Sequence, residues 1–132
     1  MSGVVYPAQL RLDCGPVSAV DLALYAAASG DHNPLHLDAE VARAAGFDRP
    51  VVHGMLTMAY VARLFTREFG AGSVRAIETR FTGVASLGDT VCIEAALDRV
   101  EDGLGRYALS ARSADGRELV SGHARVAARP PA

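Results

Sequence analysis

Apolar residues recur every three or four positions through the first half of the chain, and this spacing is typical of amphipathic helices. The pattern predicts a helix over 18–29, a short helix over 39–45 and a long helix over 54–69. Ser18 and Gly30 belong to the residue types that begin and end helices, which supports the first pair of boundaries. The long helix carries an apolar stripe that we interpret as core: Met55, Met58, Ala59, Ala62, Phe65 and Phe69.

After residue 72 the period changes to two, which is the spacing of half-buried strands. The alternation, punctuated by turn dipeptides such as Asp115-Gly116, predicts four strands: 77–81, 91–98, 107–111 and 120–126. We interpret them as an antiparallel meander and expect a further strand at 9–13. Helices followed by strands around one core indicate the α+β class, with an antiparallel sheet wrapped around the long helix.

The chain of 132 residues has the length of one domain, which we expect to span 1–132. Its formal net charge of −2 and the absence of a basic cluster argue against nucleic-acid binding and against attachment to anionic membranes. No apolar run reaches the ~20 residues that a membrane helix needs. The sequence contains no lysine, which excludes lysine Schiff-base chemistry and a P-loop.

The two cysteines suggest a cellular compartment. Cys14 and Cys92 stand far apart and outside any CxxC pair, so we expect free thiols in a reducing environment. The first ten residues lack the charged and apolar regions of a signal peptide. We therefore expect a cytoplasmic protein without a leader.

The loop over 31–37 contains the residue types of acid–base chemistry. Asp31 and His36 flank a turn at Asn33-Pro34, so a bent loop turns both side chains toward one point. A carboxyl group and an imidazole at one point form a plausible site for a water molecule, because histidine accepts a proton near neutral pH. Composition alone equally allows Asp31 to cap a turn and His36 to be solvated.

The start of the long helix is a second candidate feature. Gly54 permits close approach of a ligand, and the free N–H groups of a helix start favour developing negative charge, such as an enolate oxygen. An ordinary helix start with glycine for tight packing accounts for the same residue. We expect no metal site, because Pro34 interrupts the helical spacing between His32 and His36.

Two segments together resemble the MaoC-like family, which includes the (R)-specific enoyl-CoA hydratases and the (3R)-hydroxyacyl-thioester dehydratases. Residues 29–38, SGDHNPLHLD, are similar to the family's hydratase-2 motif, and residues 49–56, RPVVHGML, are similar to the segment that follows it. Residues 80–82 and 88–90 resemble the family's later strand and turn. The resemblance covers nearly the whole chain and implies a single hot-dog fold, in which the sheet wraps a central helix.

The resemblance also implies roles for individual residues. Asp31 and His36 match the family's catalytic positions, and the backbone N–H of Gly54 matches its oxyanion donor. The implied substrate-binding positions are Asn33, which would orient the loop or the thioester, His53 and Met55. Many relatives have proline where residues 83–84 lie here, so the shape of the acyl pocket is left open.

The implied activity is that of a hydro-lyase without a cofactor, acting in fatty-acid or related acyl metabolism. It would hydrate trans-2-enoyl thioesters or dehydrate (3R)-hydroxyacyl thioesters, with CoA or acyl carrier protein as the carrier. The alternatives are a hot-dog acyl thioesterase and a non-catalytic hot-dog subunit of a heterodimeric dehydratase. Single hot-dog chains of the family usually pair, so we expect a homodimer, with a heterodimer containing a second hot-dog subunit as the alternative.

Overall fold

The computed structural model describes residues 5–128, and the first and last four residues of the expected 1–132 domain lie outside that range. The described chain forms five strands, three α-helices and one 3₁₀ turn in this order: β1 (Gln9–Cys14), α1 (Ala19–Ser29), the 3₁₀ turn (Pro34–His36), α2 (Ala39–Ala44), α3 (Gly54–Phe69), β2 (Val74–Phe81), β3 (Val91–Glu101), β4 (Leu104–Ser113) and β5 (Glu118–Val126). The predicted helices and strands are confirmed, and β2 to β5 extend beyond their predicted ranges.

Helix α1 begins and ends where the sequence predicts. The Ser18 side chain accepts a hydrogen bond from the Asp21 N–H at 3.1 Å, and the Asp21 carboxylate accepts one from the Ser18 N–H at 2.8 Å. Gly30 ends the helix with a left-handed φ of 79°, and its N–H donates to the Ala26 carbonyl. A glycine in this conformation turns the chain away from the helix axis, and the loop that contains Asp31 begins there.

The five strands form one antiparallel sheet in the order β1-β3-β4-β5-β2. Only β3, β4 and β5 follow one another as a meander, so the predicted four-stranded meander is wrong for β2, which pairs with β5 instead. Gly122 permits this pairing, because a Cβ atom at its position would collide with the Glu78 carbonyl oxygen on β2. Alternation identifies a strand, whereas its partner depends on contacts between distant segments.

Helix α3 contacts both edge strands, β1 and β2, as well as β3 and β5, so the sheet curves around it. Its buried apolar face consists of Leu56, Tyr60, Val61, Leu64, Phe65 and Phe69. This face corrects the predicted stripe, since Phe65 and Phe69 are buried but Met55 and Ala59 are exposed. The first turns of α3 carry apolar residues on nearly every side, and periodicity alone does not select a face there. The arrangement confirms the α+β class.

The two cysteines are free, as predicted. Cys14 is buried and Cys92 is half-buried, and they lie on neighbouring rungs of the β1–β3 pair, where Cys14 faces Val91 and Cys92 faces Asp13. Side chains on successive rungs point to opposite faces of a sheet, so the thiols are kept apart. No helix within residues 5–128 is both long and apolar enough to span a lipid bilayer.

Candidate active site

A tight loop after α1 brings the two predicted acid–base residues together. The Asp31 carboxylate accepts a hydrogen bond from the Asn33 N–H at 3.2 Å, and the Asn33 side-chain oxygen accepts one from the Leu35 N–H at 3.0 Å. Such bonds from short polar side chains to nearby backbone stabilise turns. They bend the chain into the 3₁₀ turn that contains His36, and Asn33 therefore orients the loop.

Asp31 and His36 face each other across this loop. Asp31 Oδ2 lies 3.6 Å from His36 Nε2, and the two side chains are 52% and 12% exposed. His36 Nδ1 lies 2.7 Å from the Val51 carbonyl oxygen. A carbonyl oxygen only accepts hydrogen bonds, so Nδ1 carries the proton and the Nε2 lone pair of neutral His36 points toward Asp31. A proton acceptor and a carboxyl group therefore meet at one accessible point.

The extended segment 50–53 supplies the carbonyl group that orients His36. The Val51 N–H donates to the Leu35 carbonyl at 3.0 Å, and the Val52 N–H donates to the Ala85 carbonyl at 2.8 Å. The segment is thus held on one side by the loop that carries His36 and on the other by the chain that precedes β3. The role of Val51 was not predicted, because every residue type supplies the same carbonyl group.

Asp89 fixes this segment further. Its carboxylate is 18% exposed and accepts hydrogen bonds from the Ser86 N–H at 2.9 Å and from the guanidinium groups of Arg49 and Arg117 at 3.3 Å each. Arg49 also donates to the Leu87 carbonyl at 2.6 Å. This role was not predicted, although Arg49 and Asp89 both lie in segments that carry the family resemblance.

His53 lies behind the acid–base pair. It is 1% exposed, its ring stacks on the His36 ring with centroids 3.8 Å apart, and the Tyr25 ring meets it edge-on at 4.8 Å. His53 Nε2 lies 3.1 Å from the Asp31 carbonyl oxygen. Burial lowers the pKa of His53 below its ordinary value. This placement differs from the expected substrate-binding position, because a ring buried behind His36 does not face a substrate directly.

Helix α3 begins beside this group with two free N–H groups. The His53 carbonyl accepts hydrogen bonds from the Leu56 N–H at 3.0 Å and the Thr57 N–H at 3.2 Å. The N–H groups of Gly54 and Met55 therefore precede the first intrahelical bond, and neither has an acceptor within residues 5–128. Together with the helix dipole, they form a place where negative charge is stabilised.

Exposed apolar side chains lie near this helix start. A Cβ atom at Gly54 would lie 3.5 Å from the Phe81 ring, so the end of β2 borders the first turn of α3. Met55, in the first turn of α3, and Phe81 are 58% and 47% exposed. Isolated exposed apolar residues are ordinary, but apolar surface beside a polar pair is typical of a ligand or partner site.

The residues of the site fit a metal ion poorly. Asp31, His36 and His53 each offer a ligand atom, and these atoms lie within 4.8 Å of one another. An imidazole nitrogen directs its lone pair in the plane of its ring. Because the planes of the two stacked rings are inclined by only 20°, their lone pairs do not converge on one ion. His32 lies outside this group, with Nδ1 3.2 Å from the Gly30 carbonyl oxygen.

Three surface cavities within the described residues lie away from the site. One, of about 320 Å³, is on the outer face of the sheet and is bordered by Arg106, His123 and Arg125, and the other two lie beside β1. None of these three is lined by Asp31 or His36. The Asp31 side chain is 52% exposed, so in a single chain the acid–base pair is open to solvent on that side.

Comparison with known proteins finds similar sequences. Residues 9–112 match the family described as MaoC like domain. Peroxisomal multifunctional enzyme type 2 of Mus musculus is 40% identical over 69 residues, which are 50% of this chain and 9% of that protein. The match covers 12% and 22% of two further curated relatives. The chain thus spans less than a quarter of the length of these relatives.

Two solved structures share the fold over nearly the whole chain. An (R)-hydratase from A. caviae involved in PHA biosynthesis has a TM-score of 0.85 at 28% identity, and the match covers 98% of this chain and 97% of that one. The unliganded R-hydratase PhaJ1 from Pseudomonas aeruginosa has a TM-score of 0.87 at 27% identity, and the match covers 97% and 84%. These neighbours confirm the expected hot-dog fold.

Proposed function

The chain belongs to the MaoC-like domain family, and we propose that it reversibly hydrates trans-2-enoyl thioesters to (3R)-hydroxyacyl thioesters. The observation that carries this proposal is the approach of Asp31 Oδ2 to within 3.6 Å of His36 Nε2, next to the free N–H groups that begin α3. The names of the two solved hydratases support both the reaction and its stereochemistry.

Hydration moves one proton from water to the α-carbon. A water molecule at hydrogen-bond distance from His36 Nε2 and Asp31 Oδ2 loses a proton to Nε2 as its oxygen bonds to the β-carbon. The π electrons of the double bond move toward the thioester carbonyl and form an enolate. The proton shared by His36 and Asp31 then bonds to the α-carbon, and the carbonyl reforms. One O–H bond and the C=C π bond are broken, and one C–O and one C–H bond are made, so the step balances without a cofactor.

The helix start stabilises the charge that develops in this step. The enolate oxygen would accept hydrogen bonds from the free N–H of Gly54, where the positive end of the α3 dipole adds to the field. Removing one such donor typically costs about 2.7–4 kcal/mol of activation free energy. Each positioned acid–base group typically adds about 10²–10⁴ in rate.

We also propose that a second hot-dog subunit covers the open side of the site. Strand β2 is an edge of the sheet, and its unpaired side is a template for another strand. Phe81 at the end of β2 and the nearby Met55 are exposed apolar residues that such a subunit would cover. An identical chain is the first expectation and a different hot-dog chain is the alternative. The carrier of the acyl group is CoA or acyl carrier protein, and the free cysteines favour the cytoplasm.

A direct assay tests the reaction. We expect the protein to remove the enoyl absorbance of crotonyl-CoA without releasing free thiol. Release of thiol would indicate a thioesterase instead, and absence of both changes across acyl chain lengths would contradict the hydratase proposal for this chain alone. A repeat with the co-purifying partner from the native host then tests the heterodimer alternative.

Variants of the loop test the assigned residues. Asp31→Asn and His36→Ala should each lower turnover by at least ~10², because each removes one acid–base group. Circular dichroism should show an unchanged fold. His32→Ala is a matched control, since it removes an exposed histidine of the same loop that lies outside the pair, and we expect its turnover to stay near that of the unmodified protein. Near-normal turnover of Asp31→Asn or of His36→Ala would contradict the acid–base role of that residue.

A further inference from the structure

His53 contacts both proposed catalytic groups and the start of α3. Its Nε2 lies 3.1 Å from the backbone carbonyl of Asp31, and its ring plane stacks on that of His36. Its own carbonyl accepts the first hydrogen bonds of α3. One buried residue therefore contacts the carboxyl-bearing residue, the imidazole and the helix start that supplies the oxyanion donor.

The tautomer of His53 follows from its partners. The Asp31 carbonyl oxygen only accepts, so His53 Nε2 carries the proton and donates it. Nδ1 is then the bare nitrogen, and it is buried without a hydrogen-bond partner among the described residues. His36 has the opposite tautomer, with the proton on Nδ1 and a bare Nε2. The two stacked rings thus differ in which nitrogen is free to accept a proton.

An apolar ring at this position would avoid one cost and incur another. Leaving a buried polar atom unsatisfied typically costs about 1–3 kcal/mol, and Nδ1 of His53 is such an atom. A phenylalanine ring would keep the stacking on His36 and avoid that cost, but it would leave the Asp31 carbonyl without its donor. The hydrogen bond to Asp31 is therefore the contribution that distinguishes histidine from a simple core residue here.

On the basis of the proposed hydratase function, we propose that His53 is a positioning residue that stays neutral during turnover and holds Asp31 and His36 at their reacting distance. Its Nε2–H anchors the backbone of Asp31, and its ring supports the plane of His36. It does not touch the substrate.

The environment of His53 keeps it neutral while His36 gains a proton. Burial is the largest cause that lowers the pKa of His53, and the neighbouring His36 acts in the same direction. The hydrogen bond to the Asp31 carbonyl and the Asp31 charge oppose this shift. A second cation stacked at 3.8 Å on a protonated His36 would be strongly unfavourable. The proton taken from water therefore does not pass to His53.

Two variants test the proposal through kinetics. His53→Phe keeps a flat ring but removes the donor to Asp31, and we expect kcat to fall about 10–100-fold while KM stays within about threefold. Ser73→Ala is the matched control, because it also removes a buried polar atom without a partner, near the opposite end of α3. We expect its kcat and KM to be unchanged. Unchanged kcat in His53→Phe, or a loss expressed only in KM, would overturn the proposal.

Nitrogen NMR of the unmodified protein tests the same proposal without turnover or folding of a variant. We expect the His53 imidazole to show a protonated Nε2 and a bare Nδ1, and to remain neutral through the pH range in which activity is measured. A protonated Nδ1, or a doubly protonated ring in that range, would overturn the positioning role. If enoyl hydration itself is absent, the hydratase proposal fails instead, whereas normal hydration with an unaffected His53→Phe variant contradicts only this inference.

Discussion

Replacing Gly54 with alanine separates the chemical role of the α3 start from its structural role. The position needs no left-handed backbone, and an added Cβ would lie 3.5 Å from the Phe81 ring, which is an ordinary van der Waals distance. Alanine also has a higher helix propensity than glycine, by roughly 0.5–1 kcal/mol in a helix interior and less at the first position. The fold should therefore tolerate Gly54→Ala, with a melting temperature equal to or a few degrees above that of the unmodified protein.

The catalytic effect of the same methyl group should be opposite in sign. An enolate oxygen must lie about 2.7–3.1 Å from its N–H donor to be stabilised, and the new Cβ is attached next to that N–H. If the methyl group prevents this approach completely, the loss is that of one oxyanion donor, or about 10²–10³ in kcat. We expect a loss of at least tenfold, because partial displacement weakens the hydrogen bond without abolishing it.

The assay combines crotonyl-CoA hydration with thermal unfolding of the same samples. Ala59→Gly serves as the control, because it makes the reverse exchange at an exposed position of α3. That control should lose up to about 1 kcal/mol of stability with no change in kcat. An unchanged kcat in Gly54→Ala would refute the oxyanion role of this helix start. If kcat instead fell in proportion to lost stability in both variants, the argument that the methyl group blocks the oxyanion position would be refuted.

Three further outcomes follow from the described contacts. Asp89→Ala should lower the free energy of unfolding by about 2 kcal/mol in urea titrations. It removes the hydrogen bonds from Arg49 and Arg117 and leaves the Ser86 N–H unpaired. An unchanged urea midpoint would show that Asp89 does not hold segment 50–53. Because the pKa of folded His53 is lowered from 6.5, the unfolded chain binds a proton that the folded chain does not, and stability should fall as pH drops below 6.5, by at most about 1.4 kcal/mol per pH unit. The difference between the unmodified protein and His53→Phe in urea titrations at about pH 7.5 and 5.5 isolates this component, and equal pH dependence of the two would contradict it. Light scattering should show a species heavier than one chain, and a fully active monomer would refute the proposal that a second subunit covers the site.

Much of the candidate site was predictable because its signals are local. The Asn33-Pro34 turn between Asp31 and His36 dictates a bent loop, and Gly30 ends α1 immediately before it. The start of α3 at Gly54 follows from apolar periodicity. Each of these features depends on backbone preferences and side-chain hydrogen bonds within a few residues, and the structure reproduces them.

Other features of the site left no local signal. The carbonyl group that sets the His36 tautomer belongs to Val51, and backbone groups are the same in every residue. The burial of His53 depends on Tyr25, from a helix far upstream in the sequence, and on the loop that carries His36. The sequence therefore contained no sign that this histidine is buried behind His36.

The sequence alone determined where the helices and strands lie, which loop carries the acid–base residues, and that one long helix would meet an antiparallel sheet. These properties follow from hydrophobic periods, capping residues and turn residues, which act over short stretches of chain. Only the tertiary structure decided that β2 pairs with β5, which face of α3 is buried, and that His53 lies behind Asp31 and His36. Those outcomes depend on close contacts between segments that are distant in sequence. The missing Cβ atom of Gly122 permits the pairing of β2 with β5, and the Val51 carbonyl orients His36. The residue types themselves do not indicate which distant segment they will contact.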